Sequence, residues 1–378
     1  MSICKKCNGY GTVILRKVDS YCESCFLIGA NHKFRACLGK TKTLSPNEKV
    51  LICIKGGLGS TVLLDLVSNG LTLDNHKKLR IIPYFLHLKG FENEEKNLEI
   101  AKAVIKMCNV YGFNVYVSNI SDYIHSDYIL PDVNTLPTLD DVTVDRFQML
   151  IRSMPPTAQI DFLAKIKRKL FIRVAQKLEC KFIFSAETTT TLAHHLLSNI
   201  ATGRGSQVQN DIGFSDNRDT IKILRPIKDI TKEELTHYVH VKALKVIHNQ
   251  ETERKDSLQS IISAFVTDLQ VNFPATVSTI CKTADKIGNH HHKTNKCEIC
   301  ESDLDMENSQ LSALEATSFS RIISIMEPQH RNRDNITNKN SSLFPYIHKF
   351  LCYGCSRNLS EASNSELPSY ILDKIKVS

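Results

Sequence analysis

The chain has 378 residues, a formal net charge of +8, 42% hydrophobic residues and 13 cysteines. That length gives a prior of roughly two to three domains, long enough to bury a core of their own. No apolar run approaches the ~20 residues of a membrane span and Met1-Ser2-Ile3-Cys4 opens no secretory signal, so a cytoplasmic, reducing setting is expected, where paired cysteines read as metal thiolates rather than disulfides.

The first element is a metal knot. Cys4-x2-Cys7 and Cys22-x2-Cys25 are 14 residues apart. Two such knuckles let four sulfurs converge tetrahedrally on one zinc ion, which would supply the folding energy of so short a segment. Residues 1–44 are therefore expected to form an N-terminal zinc module. The first 49 residues carry nine Lys/Arg against three Asp/Glu. Two tetrathiolate zinc sites of about −2 each would trim the whole chain to about +4, which permits a nucleic-acid partner without demanding one.

Residues 45–286 read as an α/β domain. The apolar run Lys49–Ile54 is a buried parallel strand and ends in Lys55-Gly56-Gly57-Leu58-Gly59-Ser60. A helix over 60–68 follows, then a strand (81–88), a helix (93–111), a strand (114–117) and a loop over 121–141 holding Pro131 and Pro137. Beyond it come a helix (157–178), a strand (181–185), a helix (188–200), a strand (221–224) and a helix (232–244). This alternation predicts an open, doubly wound parallel sheet with its ligand site at the first strand-loop-helix turn. There Gly56 and Gly57 would admit a phosphate chain to backbone N–H groups, and Ser60 would offer a hydroxyl; a plain tight turn fits the same residues. Lys165, Lys169, Arg173 and Lys177 recur every four residues along the 157–178 helix. They read as a solvated face or as contacts for nucleic-acid phosphates. Lys33, Arg35, Lys40 and Lys42 are a second basic cluster. Arg204, between two glycines, is a candidate ligand contact. His194 and His195 read as one packed and one exposed histidine without catalytic duty. Cys53, Cys108 and Cys180 read as small buried hydrophobes.

The C-terminal part, 287–378, repeats the metal signal more loosely. Cys297-x2-Cys300 and Cys352-x2-Cys355 are separated by 51 residues, and the polar stretch 303–342 reads as a flexible insertion. His290, His291 and His292 read as a solvated tract, because four thiolates already complete a structural site.

Taken in order, the Cys-x-x-Cys pair, Tyr21-Cys22-x-x-Cys25-Phe26, Lys33-Phe34-Arg35 and strand-Gly-Gly-x-x-Ser resemble the non-catalytic subunits of cytosolic tRNA 2-thiolation (thiouridylase) complexes, within the PP-loop superfamily of adenine-nucleotide-alpha-hydrolase-like proteins. The resemblance continues through Ser185-Ala186-Glu187-Thr188, Gly203-Arg204-Gly205 and Leu224-Arg225-Pro226-Ile227 to the last Cys-x-x-Cys pair. Active PP-loop enzymes have Ser-Gly-Gly-x-Asp-Ser. Here Lys55 replaces the first Ser and Gly59 the Asp, which weakens the case for ATP in this subunit. The catalytic paralogue carries a Cys-x-x-Cys before the helix that here begins near Thr157, and a further Cys after the Arg-Pro segment. This chain has Pro155-Pro156-Thr157-Ala158, and no Cys between Pro226 and Cys281.

The resemblance implies a heterodimer with a catalytic paralogue, tRNA binding, and 2-thiolation of the wobble uridine of Lys, Glu and Gln tRNAs. Sulfur would come from a thiocarboxylated ubiquitin-like carrier, with a link to protein conjugation by that carrier (urmylation). No catalytic residue is expected in this chain. The competing expectations are an autonomous ATP-dependent tRNA sulfurtransferase and a zinc-knotted scaffold with no RNA role.

Overall fold

In the computed structural model the described residues are 2–39, 44–74, 78–125, 128–138, 140–247, 256–287, 295–304, 317, 320–321, 324–325 and 350–360. Lys40, Lys42, the histidine tract at 290–292 and nearly all of 303–342 lie outside them.

The chain opens with a hairpin of β1 (Val13–Leu15) and β2 (Asp19–Tyr21), followed by helix α1 (Glu23–Gly39). The main sheet follows with β3 (Glu48–Cys53), α2 (Leu58–Leu71), β4 (Ile81–Lys89), α3 (Glu94–Val110) and β5 (Val115–Asn119). After a 3-10 turn at Ile120–Ile124 come α4 (Asp141–Arg152), α5 (Pro156–Lys177), β6 (Phe182–Phe184) and α6 (Thr189–Ala201). Then follow α7 (Val208–Ile212), β7 (Ser215–Asp216), β8 (Lys222–Leu224), α8 (Lys232–Val241), α9 (Leu258–Asn272), α10 (Pro274–Ile287) and α11 (Tyr353–Ser360).

The sheet order is β5-β4-β3-β6-β8-β7, parallel except for the antiparallel β7–β8 pair. The first parallel strand, β3, lies between the second and the fourth, β4 and β6. The strand order therefore reverses at β3, and the crevice outside the ends of β3 and β6 is where such sheets bind ligands. The period-two side chains of β3 explain why it is central. Val50 and Ile52 enter one core with Val62, Leu63 and Leu66 of α2, while Leu51 and Cys53 enter the opposite core with Ile172, Val174 and Ala175 of α5.

Helix α8 is fixed by a reciprocal capping box between Thr231 and Glu234, and Lys33 of α1 pairs with Glu234 at 2.6 Å. Tyr238 of α8 donates its hydroxyl to buried Asp65 of α2 at 2.6 Å. Helices α6, α7, α9 and α10 share a separate apolar core through Leu192, Leu196, Ile212, Val266 and Val277.

The doubly wound parallel sheet is as expected, and its strands and helices fall within a few residues of the expected bounds. Elements without a sequence expectation are the β1–β2 hairpin, α1, α4, α7, β7, α9, α10 and α11. The expected C-terminal module also shares the body's core. Cys297, Cys300, Cys352 and Cys355 join one apolar cluster with Phe147, Leu150 and Ile151 of α4 and Phe162, Ile166 and Leu170 of α5.

Candidate metal centres and the glycine loop

Local backbone geometry builds the first cysteine set. Asn8 takes a left-handed φ of 58° and donates its N–H to the Cys4 carbonyl, closing the Cys4–Cys7 knuckle. The hairpin then returns the chain, and Cys22 sits directly before α1 with its sulfur accepting the Cys25 N–H at 3.4 Å. The four Sγ atoms lie within 4.8 Å of one another, with Cys7 and Cys22 3.6 Å apart. A tetrahedral zinc ion with Zn–S bonds near 2.3 Å requires sulfur separations of about 3.8 Å. Cys4 is buried, Cys22 and Cys25 half-buried, and Cys7 exposed.

The second set, Cys297, Cys300, Cys352 and Cys355, meets the same distance test, with Cys300 and Cys352 3.5 Å apart, and all four thiols are buried. Its knuckles carry hydrogen bonds of their own. Glu301, at φ 57°, donates to the Cys297 carbonyl, Cys297 to the Ser302 carbonyl and Ser356 to the Cys352 carbonyl. Hydrogen bonds within the set lower the Cys300 and Cys352 thiols, while burial pushes Cys297 and Cys355 up, so the case for a metal here rests on the converging sulfurs. Both donor sets suit a four-coordinate thiophilic metal.

Cationic side chains converge on this second set. The row Lys165, Lys169 and Arg173 on α5 is a packed seam rather than a bare face. Lys165 pairs with buried Asp161, and Lys169 donates to the Glu298 carbonyl at 3.1 Å inside the Cys297–Cys300 knuckle. Arg173 donates to the carbonyls of His125 at 3.0 Å and Tyr123 at 3.3 Å, with its guanidinium over the Tyr123 ring. Lys177, at the end of the row, is exposed. The expectation of a phosphate-binding stripe is corrected to that extent, since three of its four cations hold the chain's own acceptors. Arg204 also departs from expectation. It is only 5% exposed, donates to Asp161 Oδ2 at 2.8 Å, and lies 3.5 Å from Cys355 Sγ. The candidate ligand contact is thus buried against the chain's own Asp161 and Cys355.

The glycine loop stands where the fold puts a ligand site. Gly56 has φ +88°, a conformation that favours glycine, and its carbonyl accepts the Ile247 N–H. Gly57 precedes α2 with open space around it. Ser60 is buried and donates its hydroxyl to the Gly57 carbonyl at 3.0 Å, while Lys55 is exposed. Gly59 occupies the place of the expected acidic residue. A Cβ built on it would lie 2.7 Å from the Ala186 carbonyl oxygen. The β6 loop thus fills the space from which an Asp side chain would project.

That loop is clamped. Arg225 donates to Glu187 at 2.6 Å and to the Gly213 carbonyl at 2.7 Å, and His195 lies 3.3 Å from the same Glu187 carboxylate. Burial would raise the Glu187 carboxyl, but the Arg225 charge and the His195 contact outweigh it and hold the group well below the usual range. Thr188 caps α6, and Thr189 donates to the Lys228 carbonyl. His194, the packed member of its pair, contacts the Gln259 carbonyl at 2.8 Å, and His195 is the more exposed one.

Cysteines outside the two sets are all buried: Cys37, Cys53, Cys108, Cys180 and Cys281. Cys53, at the end of β3 beside the glycine loop, has its thiol pushed far up by burial. Burial raises Cys108 and Cys180 to about 12. Cys53, Cys108 and Cys180 therefore lack the character of a reactive thiolate.

A reversing parallel sheet, a glycine loop at the reversal and two four-cysteine sets that could each hold a metal ion define a PP-loop-type α/β protein. The solved U34-tRNA thiolase NcsA from Methanococcus maripaludis, described with its 4Fe-4S cluster, superimposes with TM-score 0.60 at 20% identity, covering 86% of this chain and 98% of that one. At that identity the likeness speaks for the fold. A family model, Cytoplasmic tRNA 2-thiolation protein 2, matches residues 257–357. Proteins of that name from Drosophila virilis and Drosophila melanogaster are 30% and 34% identical, covering 96% and 85% of this chain and 92% and 81% of their own lengths. The chain belongs to the cytoplasmic tRNA 2-thiolation protein 2 family, which is involved in cytoplasmic tRNA 2-thiolation.

Among the described residues no helix is long and apolar enough to cross a membrane.

Proposed function

We propose that this chain is the non-catalytic subunit of a heteromeric complex that places sulfur at position 2 of the wobble uridine in cytosolic Lys, Glu and Gln tRNAs. It supports a catalytic paralogue and contributes to holding tRNA, while a thiocarboxylated ubiquitin-like carrier supplies the sulfur. Its link to protein conjugation would run through that carrier. Zinc fills both cysteine sets in a structural role. The three modules, 1–44, 45–286 and 287–378, serve as one docking body.

The observation carrying this reading is chemical. Thiolation requires activation of the uridine C2 oxygen, then displacement by a sulfur nucleophile, and sulfur handling needs a reactive thiolate or a thiolate-held cluster at the ligand crevice. Beside the glycine loop the chain offers Cys53, buried and with its thiol raised. At the acidic position it offers Gly59 against the Ala186 carbonyl. Lys55 is a point charge that suits a backbone phosphate at the edge of the crevice.

Purified chain incubated with ATP, thiocarboxylated carrier and unthiolated tRNA is expected to yield no 2-thiouridine until the catalytic paralogue is added. Robust thiolation by the chain alone would refute the subunit reading in favour of an autonomous sulfurtransferase.

A further inference from the structure

The Gly203-Arg204-Gly205 segment ends α6 and enters the second cysteine set. Gly203 has φ +80°, and Arg204 N–H returns to the Asn199 carbonyl at 2.7 Å, so the turn closes the helix end. Two glycines then interlock. A Cβ at Gly203 would strike the Tyr353 ring at 2.5 Å, and a Cβ at Gly354 would strike Arg204 Nε at 2.4 Å. The Arg204 guanidinium is thereby laid across the Cys352–Cys355 knuckle, 3.5 Å from Cys355 Sγ.

Its charge is not cancelled there. Asp161 Oδ2 accepts from Arg204, but the Asp161 carboxylate is shared with Lys165 and Asn358. The group of Arg204, Lys165 and Asp161 keeps one net positive charge. A divalent metal held by four thiolates carries about −2, and all four of these cysteines are buried from water. The first set has Cys7 exposed and Cys22 and Cys25 half-buried, so solvent screens its charge. Arg218, the other buried arginine nearby, is consumed by Asp211 at 2.7 Å and Asp216 at 2.6 Å.

We propose that Arg204 is a positioning and charge-compensating residue of the second metal centre, donating to the Cys355 thiolate and keeping that metal bound. The glycines around it exist to let the arginine reach the sulfur. The two centres then differ in kind, an exposed one open to exchange and a buried one neutralised from within.

The test uses the full chain loaded with zinc, with release followed by a chromogenic chelator, and the same chain loaded with cobalt(II). Wild-type release is expected in two phases, fast from the first set and slow from the second. Arg204→Gln should accelerate the slow phase by about 10- to 100-fold and leave the fast phase alone. In the cobalt form, loss of a hydrogen bond to a thiolate makes the sulfur a better donor, so the sulfur-to-cobalt band should move to longer wavelength. A band that does not move overturns the proposal whatever the rates. If Arg204→Gln does not fold, Arg204→Lys carries the test, because both bonds leave the guanidinium tip at Nη2 and the shorter lysine side chain ends before that point. A shifted cobalt band in that variant supports the proposal and an unmoved one overturns it.

Discussion

Gly59→Ala is the sharpest probe of the filled acidic position. The added methyl would lie 2.7 Å from the Ala186 carbonyl oxygen and 3.7 Å from Ile227 Cδ1. The obstacle is backbone, and the next residue, Glu187, is tied to Arg225 and His195, so the loop has little room to retreat. Overpacking a rigid site of this kind costs about 2–3 kcal/mol. Alanine in a helix returns at most about 1 kcal/mol of propensity. The net loss of about 1–2 kcal/mol corresponds to a fall in Tm of roughly 2–4 °C for a body of this size. Thermal unfolding of the zinc-loaded chain measures it, with Gly57→Ala as the control. Gly57 has nothing within 4 Å of its built Cβ, so that change should cost under about 1 kcal/mol. Gly59→Asp, which restores the acidic residue in name, should lose more stability and gain no ATP affinity in calorimetry. Unchanged stability in Gly59→Ala, or tight ATP binding by Gly59→Asp, would refute the reasoning.

Further outcomes follow from the same geometry. The folded Glu187 carboxyl is depressed, so its stabilisation is present above the unfolded value near 4.3 and fades as pH falls below it. Glu187→Gln should therefore be less stable than wild type at neutral pH, with the gap narrowing under acid; a constant gap in pH-dependent urea midpoints would count against the clamp. Tyr238→Phe removes a hydroxyl donated to buried Asp65 and should cost about 1–3 kcal/mol in denaturant titration. Cys355→Ser should unfold the body cooperatively, because its cluster shares a core with α4 and α5, whereas Cys4→Ser should loosen mainly the N-terminal hairpin; hydrogen exchange distinguishes the two. Elemental analysis should find about two zinc ions per chain, and iron with a visible cluster absorbance would contradict the zinc assignment.

The sheet was legible because β3, β4 and β6 are short apolar runs bounded by loops, and a strand buried on both faces has no other composition open to it. The cysteine sets were legible because knuckle spacing is a local property. Contacts made far along the chain were not. Nothing near Arg204 in sequence says that a knuckle about 150 residues later lies against it, and Lys169 read as solvated because Glu298 joins it only when the second set docks; the Asp161–Lys165 pair, by contrast, is an i,i+4 contact within α5 that the spacing does carry. The acidic position could be seen to be empty, but its filling by Ala186 depends on β3 and β6 being neighbours. Helices α9 and α10 had a usable signal: Ile262, Val266 and Leu269 recur at helical spacing and pack on α6 and α10. The two-residue β7 had none, because edge pairing and not composition makes it a strand.

On the proposed reading, a body whose acidic loop position is filled by the Ala186 carbonyl, and whose Cys53 thiol beside that loop is raised by burial, serves tRNA thiolation through a partner. Mass spectrometry of wobble nucleosides from cells lacking this gene tests that directly. The 2-thiolated uridines should disappear from Lys, Glu and Gln tRNAs and return when the chain is supplied. Their persistence at normal levels would contradict the account.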